Sequence, residues 1–168
     1  NSLVQKEEKM QQMWSEVQST YQRRLDLTPN LVNVVKGVSD FEQSTLTQVA
    51  QARANALKTT GGQMTGENYN RQSSAQDTLA AVSNRLIVVI EKYPQLKGTA
   101  AYRGLQTQLE GNERRIKVAR NDFNAAVADY NMAVRAFPKN LLAKAFGFDV
   151  KEGFQAIANA SKNVEIKF

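Results

Sequence analysis

A heptad pattern runs unbroken from Tyr102 to Phe137, with Tyr102, Leu109, Ile116, Phe123, Tyr130 and Phe137 spaced seven apart and Leu105, Asn112, Ala119, Ala126 and Ala133 between them. Apolar residues at that period lie along one side of an α-helix. At about 1.5 Å of rise per residue the segment is on the order of 55 Å long, more than a compact single-layer domain needs. The expected fold class is therefore all-α, an elongated antiparallel four-helix bundle with short C-terminal helical segments. Large side chains fill one position of the repeat and mostly small ones the other, which lets neighbouring helices approach closely. Phe123, midway along and flanked by Ala119 and Ala126, is expected to anchor the core. Asn112 is expected to be a hydrogen-bonded polar group that sets the register.

The remaining helices are marked by punctuation. Pro29, Pro94 and Pro138 each stand where one helical pattern stops and another starts. Met10, Trp14, Val17, Tyr21 and Leu25 form one amphipathic face, with Trp14 placed for helix packing. Thr28 and Pro29 read as an N-cap and first helical position, and a continuous helix kinked at Pro29 is the competing reading. Glycines 61, 62 and 66 mark a flexible connection over 59–70. The expected helices span about 2–27, 29–59, 71–93 and 99–137, with short ones at about 139–146 and 151–160. With 168 residues, 42% of them apolar, the chain suits a single domain over 1–168.

Composition excludes much chemistry. There is no cysteine, so neither disulfides nor thiolate metal sites can form. There is no histidine, which removes imidazole acid/base catalysis, Ser/His triads and the Glu-x-x-His metal sites of ferritin-like bundles. No phosphate loop or nucleophile elbow is present. The expectation is a chain that is not an enzyme, with no cofactor, no metal and no catalytic residues. The longest apolar stretch, Leu86 to Ile90, is far too short to cross a bilayer. Asn1 stands where an initiator Met would, and helical sequence begins at once with Leu3 and Val4 at its edge. A segment upstream is expected.

The net charge of +6 favours anionic partners. Two charged groups stand out as candidate interaction residues. Arg23, Arg24 and Asp26 crowd the turn before Pro29, where arginines favour a helix C-terminus and Asp26 caps the next helix or pairs with them. Arg114, Arg115, Lys117 and Arg120 form a basic cluster on the long helix. It is broken by Glu110 and Glu113, each four residues before a cation and so expected to pair with Arg114 and Lys117 on the helix surface.

Gln22-Arg23-Arg24-Leu25-Asp26-Leu27-Thr28-Pro29-Asn30-Leu31-Val32 closely resembles the signature of the LemA family of bacterial envelope proteins. Trp14, Lys36-Gly37, Tyr93-Pro94-Gln95-Leu96-Lys97, Arg115-Ile116, Ala119-Arg120, Phe123-Asn124, Asp129-Tyr130-Asn131, Phe137-Pro138, Asn140-Leu141 and Phe146-Gly147-Phe148 extend the likeness over nearly the whole chain. Thr28 replaces the more usual aliphatic residue before the proline. The resemblance implies a four-helix bundle behind a single membrane-spanning segment, with the domain facing away from the cytoplasm. Membrane zinc proteases encoded near family members point to a membrane protease as partner; no reaction is implied. The expected function is a non-catalytic, membrane-tethered scaffold or protein-interaction domain of the cell envelope. The alternative is a binder of anionic polymer, acidic lipid or nucleic acid through the basic surface, without recognition of a specific nucleic acid.

Overall fold

The computed structural model describes residues 2–38, 40–136 and 139–154. They form α1 (Ser2–Val35), α2 (Gln43–Lys58), α3 (Gly66–Ile90), α4 (Pro94–Lys97), α5 (Ala100–Arg135) and α6 (Lys139–Ala145), with no strand among the described residues. The fold is all-α, a helical bundle.

α1 and α5 run antiparallel, joined by Lys6–Asp129 near one end and Arg24–Glu113 further along. The α2–α3 hairpin packs against the second half of α1. There Leu25, Leu31 and Val35 share a core with Val49, Ala56, Leu79, Leu86 and Ile90, and with Tyr102 and Leu105 of α5. A second core joins the first half of α1 to the second half of α5. It contains Met10, Trp14, Val17, Ile116, Phe123 and Tyr130, closed by Tyr69 of α3, Ala143 of α6 and Phe154. Phe123 is fully buried, with ring centroids 5.4 Å from Trp14, 5.0 Å from Tyr69 and 5.4 Å from Phe154.

α1 continues through Pro29, so the N-cap reading of Thr28 is corrected and the helix expected at 29–59 is divided. Pro29 has no N–H to offer the carbonyl of Leu25, four residues back. Arg53 of α2 donates its Nε to that oxygen instead, at 2.9 Å. The Thr28 hydroxyl donates backwards to the carbonyl of Arg24, at 2.8 Å. The chain turns after Val35, and α2 begins only at Gln43.

α3 starts at Gly66, earlier than the expected 71, because Thr65 caps it by accepting from the Asn68 N–H at 3.3 Å. Thr99 caps α5 in the same way, accepting from the Tyr102 N–H at 3.2 Å. α5 ends at Arg135 with Ala136 as its C-cap. Residues 137 and 138, where the sequence pattern ends, lie outside the described residues.

The helix expected at 151–160 does not begin where it should. Lys151–Phe154 is non-helical, and 155–160 lie outside the described residues. The reason is a pair of side-chain clamps on α5. Asn131 donates to the Lys151 carbonyl and accepts from its N–H, both at 2.8 Å, and Asn124 accepts from the Phe154 N–H at 2.8 Å. The first of these bonds takes up the Lys151 carbonyl, which a helix starting there would have used. Gly66 and Gly153 permit the close approach. A Cβ on Gly66 would meet the Glu152 carboxylate, and one on Gly153 would come within 2.7 Å of Asn124 Oδ1. Glu152 thereby rests at the N-terminus of α3, where a negative charge is favoured.

Candidate functional site

The polar side chains that the two cores leave buried concentrate where they meet. Arg24 is only 4% exposed. Its Nε and Nη2 form a two-pronged pair with Glu113 of α5, at 2.8 and 2.5 Å, while Nη1 donates to the backbone and side-chain oxygens of Gln76 on α3, at 2.9 and 3.2 Å. One guanidinium thus ties three helices, and its planar fork suits the carboxylate in a way an ammonium could not. Around it, Gln18 donates to Gln72, which donates to the Gly61 carbonyl, and Asn112 donates to the Thr20 carbonyl at 3.1 Å. Asn112 is thus the hydrogen-bonded polar group its heptad position implies.

Arg120 makes the second link. Its Nε donates to the Tyr21 hydroxyl at 2.9 Å, Nη2 pairs with Asp77 at 3.0 Å, and the guanidinium carbon lies 5.3 Å from the Tyr21 ring centroid. Burial pushes the Tyr21 phenol above its ordinary range, an effect the Arg120 charge offsets only in part.

Both arginines face a groove of about 530 Å³ between α3 and α5. Its walls include Asp77, Ala80 and Asn84 on one side and Ile116, Lys117 and Asn121 on the other. It narrows into a cleft of about 140 Å³ past Ser83 and Gln106. The guanidinium donors that face it are engaged by Glu113, Gln76, Tyr21 and Asp77.

The candidate residues therefore separate. Arg24, Lys117 and Arg120 meet in this groove. Arg114 and Arg115 lie on the other side of α5, in a depression of about 540 Å³ shared with Glu16 and Asp122. Arg23 is exposed on α1, and exposed Asp26 accepts from Gln22 at 2.9 Å. Asp26 caps no helix, because none starts there. The expected surface pairs Glu110–Arg114 and Glu113–Lys117 are not formed among the described residues. Glu113 instead crosses to Arg24, where a buried cation holds it more strongly than an exposed lysine would.

The sequence reading missed Gln76 and Arg53, and gave Asn124 and Asn131 no structural role. A signal for the layer was present: Met10, Trp14, Val17, Tyr21, Arg24, Thr28, Leu31 and Val35 alternate by four and three without interruption, which places Arg24 and Thr28 inside. Reading Pro29 as a stop broke that series. Asn124 and Asn131, seven apart and each following a core aromatic, carried a similar but weaker mark.

These features define an all-helical bundle in which Arg24, alone among the charged residues before Pro29, lies inside. The chain belongs to the LemA family, whose family model matches residues 13–168. It is similar to magnetosome protein MamQ 2 of Paramagnetospirillum magneticum, at 28% identity over 92% of this chain and 64% of that protein. It is also similar to magnetosome protein MamQ of Magnetospirillum gryphiswaldense, at 27% identity over 92% of this chain and 64% of that protein. Protein LemA of Metamycoplasma hominis is 20% identical over 86% of this chain and 63% of its own length. The chain thus spans somewhat less than two thirds of each of these relatives.

Proposed function

We propose that the chain is the non-catalytic interaction domain of a membrane-tethered protein of the bacterial envelope, held outside the cytoplasm by a spanning helix that leads into α1. The observation that carries this reading is the engagement of Arg24 and Arg120. The charged groups that most resembled a binding or catalytic set hold α1, α3 and α5 together, which leaves the bundle to present faces to a partner rather than to run a reaction. Family membership supports the tether, and the curated relatives' names place two of them with a structure, the magnetosome, rather than with a substrate. The described helices themselves include none long and apolar enough to cross a membrane. A protein partner in the envelope, a membrane protease among the candidates, fits this reading.

The alternative, a binder of anionic polymer, loses two of its cations to internal pairs. Arg23 and Lys117 remain, as do Arg114 and Arg115, which are interleaved with Glu16 and Asp122.

Fractionation of native cells tests the proposal. The full-length protein should sediment with membranes, resist high-salt washing, dissolve in detergent and be cut by protease added to intact spheroplasts. Recovery in the soluble cytoplasmic fraction would end it.

A further inference from the structure

Among the described residues, six of the nine large apolar side chains that the fold leaves exposed belong to one end of the bundle: Val4, Met132, Leu141, Leu142, Phe146 and Val150. It is the end at which α1 starts, since Leu3 shares its core with Val134 and with Ala143 of α6. Scattered exposed apolar residues are ordinary, but such a concentration marks a contact surface.

The local structure fixes these side chains outward. α6 is anchored through Ala143, which is fully buried. At about 100° per residue, Leu141 then points nearly opposite to Ala143, away from the bundle. Gly147, with φ of 76°, reverses the chain so that the Phe148 N–H reaches the Ala143 carbonyl at 2.8 Å. Phe148 packs on the core, while Phe146 is left 74% exposed. Exposed Arg135 and Lys144 and half-buried Lys151 accompany the apolar tips; of the nearby acids, Asp149 and Glu152 are exposed, Glu152 turned to Gly66, and Asp129 is paired with Lys6.

We propose that α6 and the turn after it are a membrane-interface contact, seating Leu141, Leu142 and Phe146 among the acyl chains just below an acidic headgroup layer. Apolar tips on a short helix, flanked by exposed Arg135 and Lys144, match the chemistry of an anionic lipid surface. The orientation rests on the tether reading above, in which a spanning helix would enter the bundle at this same end. Two attachments at one end would fix the tilt of the bundle, as a single anchor cannot.

The chain contains no cysteine, so Ala145→Cys and Val88→Cys each provide one labelling site, near Phe146 and on α3 respectively. Each is coupled to an environment-sensitive dye and titrated with phosphatidylcholine vesicles with and without phosphatidylglycerol. The dye at position 145 should brighten and shift to the blue with acidic vesicles while the dye at 88 stays unchanged. Leu141→Asn with Phe146→Asn, both at exposed positions, should weaken partitioning at least about tenfold, and Lys144→Glu on the order of tenfold. No response at 145, or an equal response at 88, would overturn the proposal. So would a blue shift that grows with protein concentration in the absence of lipid, which would assign the patch to a second copy of the chain. Because the chain used carries no spanning segment, this result stands apart from the fractionation that tests the tether.

Discussion

At the residue scale, burial decides what each side chain contributes. Phe123 touches Trp14, Tyr69 and Phe154, so one ring joins α1, α3, α5 and the segment that follows α6. Phe123→Ala should cost about 3 to 5 kcal/mol in a urea titration, through lost burial and the cavity left behind. A loss under about 1 kcal/mol would mean the cluster collapses freely around the gap. Burial also raises the phenols of Tyr21, Tyr69, Tyr102 and Tyr130. Tyr102 is pushed up to about 12, where the hydrogen bond it donates to Glu91 adds to the effect. A phenol whose folded pKa exceeds its unfolded one stabilises the fold below the unfolded value of 10, and that contribution is lost as pH rises from there through about 12. Melting temperature should therefore fall on going from about pH 9 to 11.5, and Tyr102→Phe should shrink the fall. With no histidine in the chain, no imidazole contributes a step between about pH 6 and 8.

At the scale of elements, the outcome at Pro29 shows where local reading stops. Proline removes a donor and restricts the residue before it, and both effects favour a boundary. What overrides them is a guanidinium from α2, a contact that no periodicity in α1 could reveal. Arg53→Met should cost about 1 kcal/mol by leaving the Leu25 carbonyl without that donor. In a Pro29→Ala background the helix supplies its own N–H, and the cost of Arg53→Met should drop to a few tenths of a kcal/mol. Equal costs in the two backgrounds would detach Arg53 from the continuity of α1. The long helix α5 was legible because its apolar repeat and its Thr99 cap agree locally. The segment Lys151–Phe154 was not, because it is held by Asn124 and Asn131 from another element. Asn131→Ala should leave α5 folded while amide exchange at Lys151 and Phe154 speeds at least about tenfold. Unchanged protection there would mean that Asn124 and the aromatic packing of Phe154 suffice to hold the segment.

At the scale of the whole molecule, α1 and α5 are the shared spine of two apolar cores, with a charged layer between them. The all-α class and the apolar faces could be read from spacing because hydrophobic periodicity reports what is buried. The charged layer escaped that reading for the same reason: a pattern that equates polar with outward sends Arg24 to the surface, although its place in the α1 repeat lies inside. The internal pairing of Arg24 and Arg120 also bears on partners. Binding to nucleic acid should be weak, indifferent to sequence and largely lost between about 50 and 200 mM salt, as a filter-binding titration would show. The central claim, that Arg24 of the family's charged motif holds the helices together, is tested most directly by a double-mutant cycle on Arg24 and Glu113 followed by urea unfolding. Arg24→Met and Glu113→Leu should each be destabilising, the latter by about 2 to 4 kcal/mol because it strands a buried guanidinium, and the double variant should recover most of that loss. Single variants within about 0.5 kcal/mol of the parent, with no coupling between them, would contradict the account and return Arg24 to the candidates for a binding site.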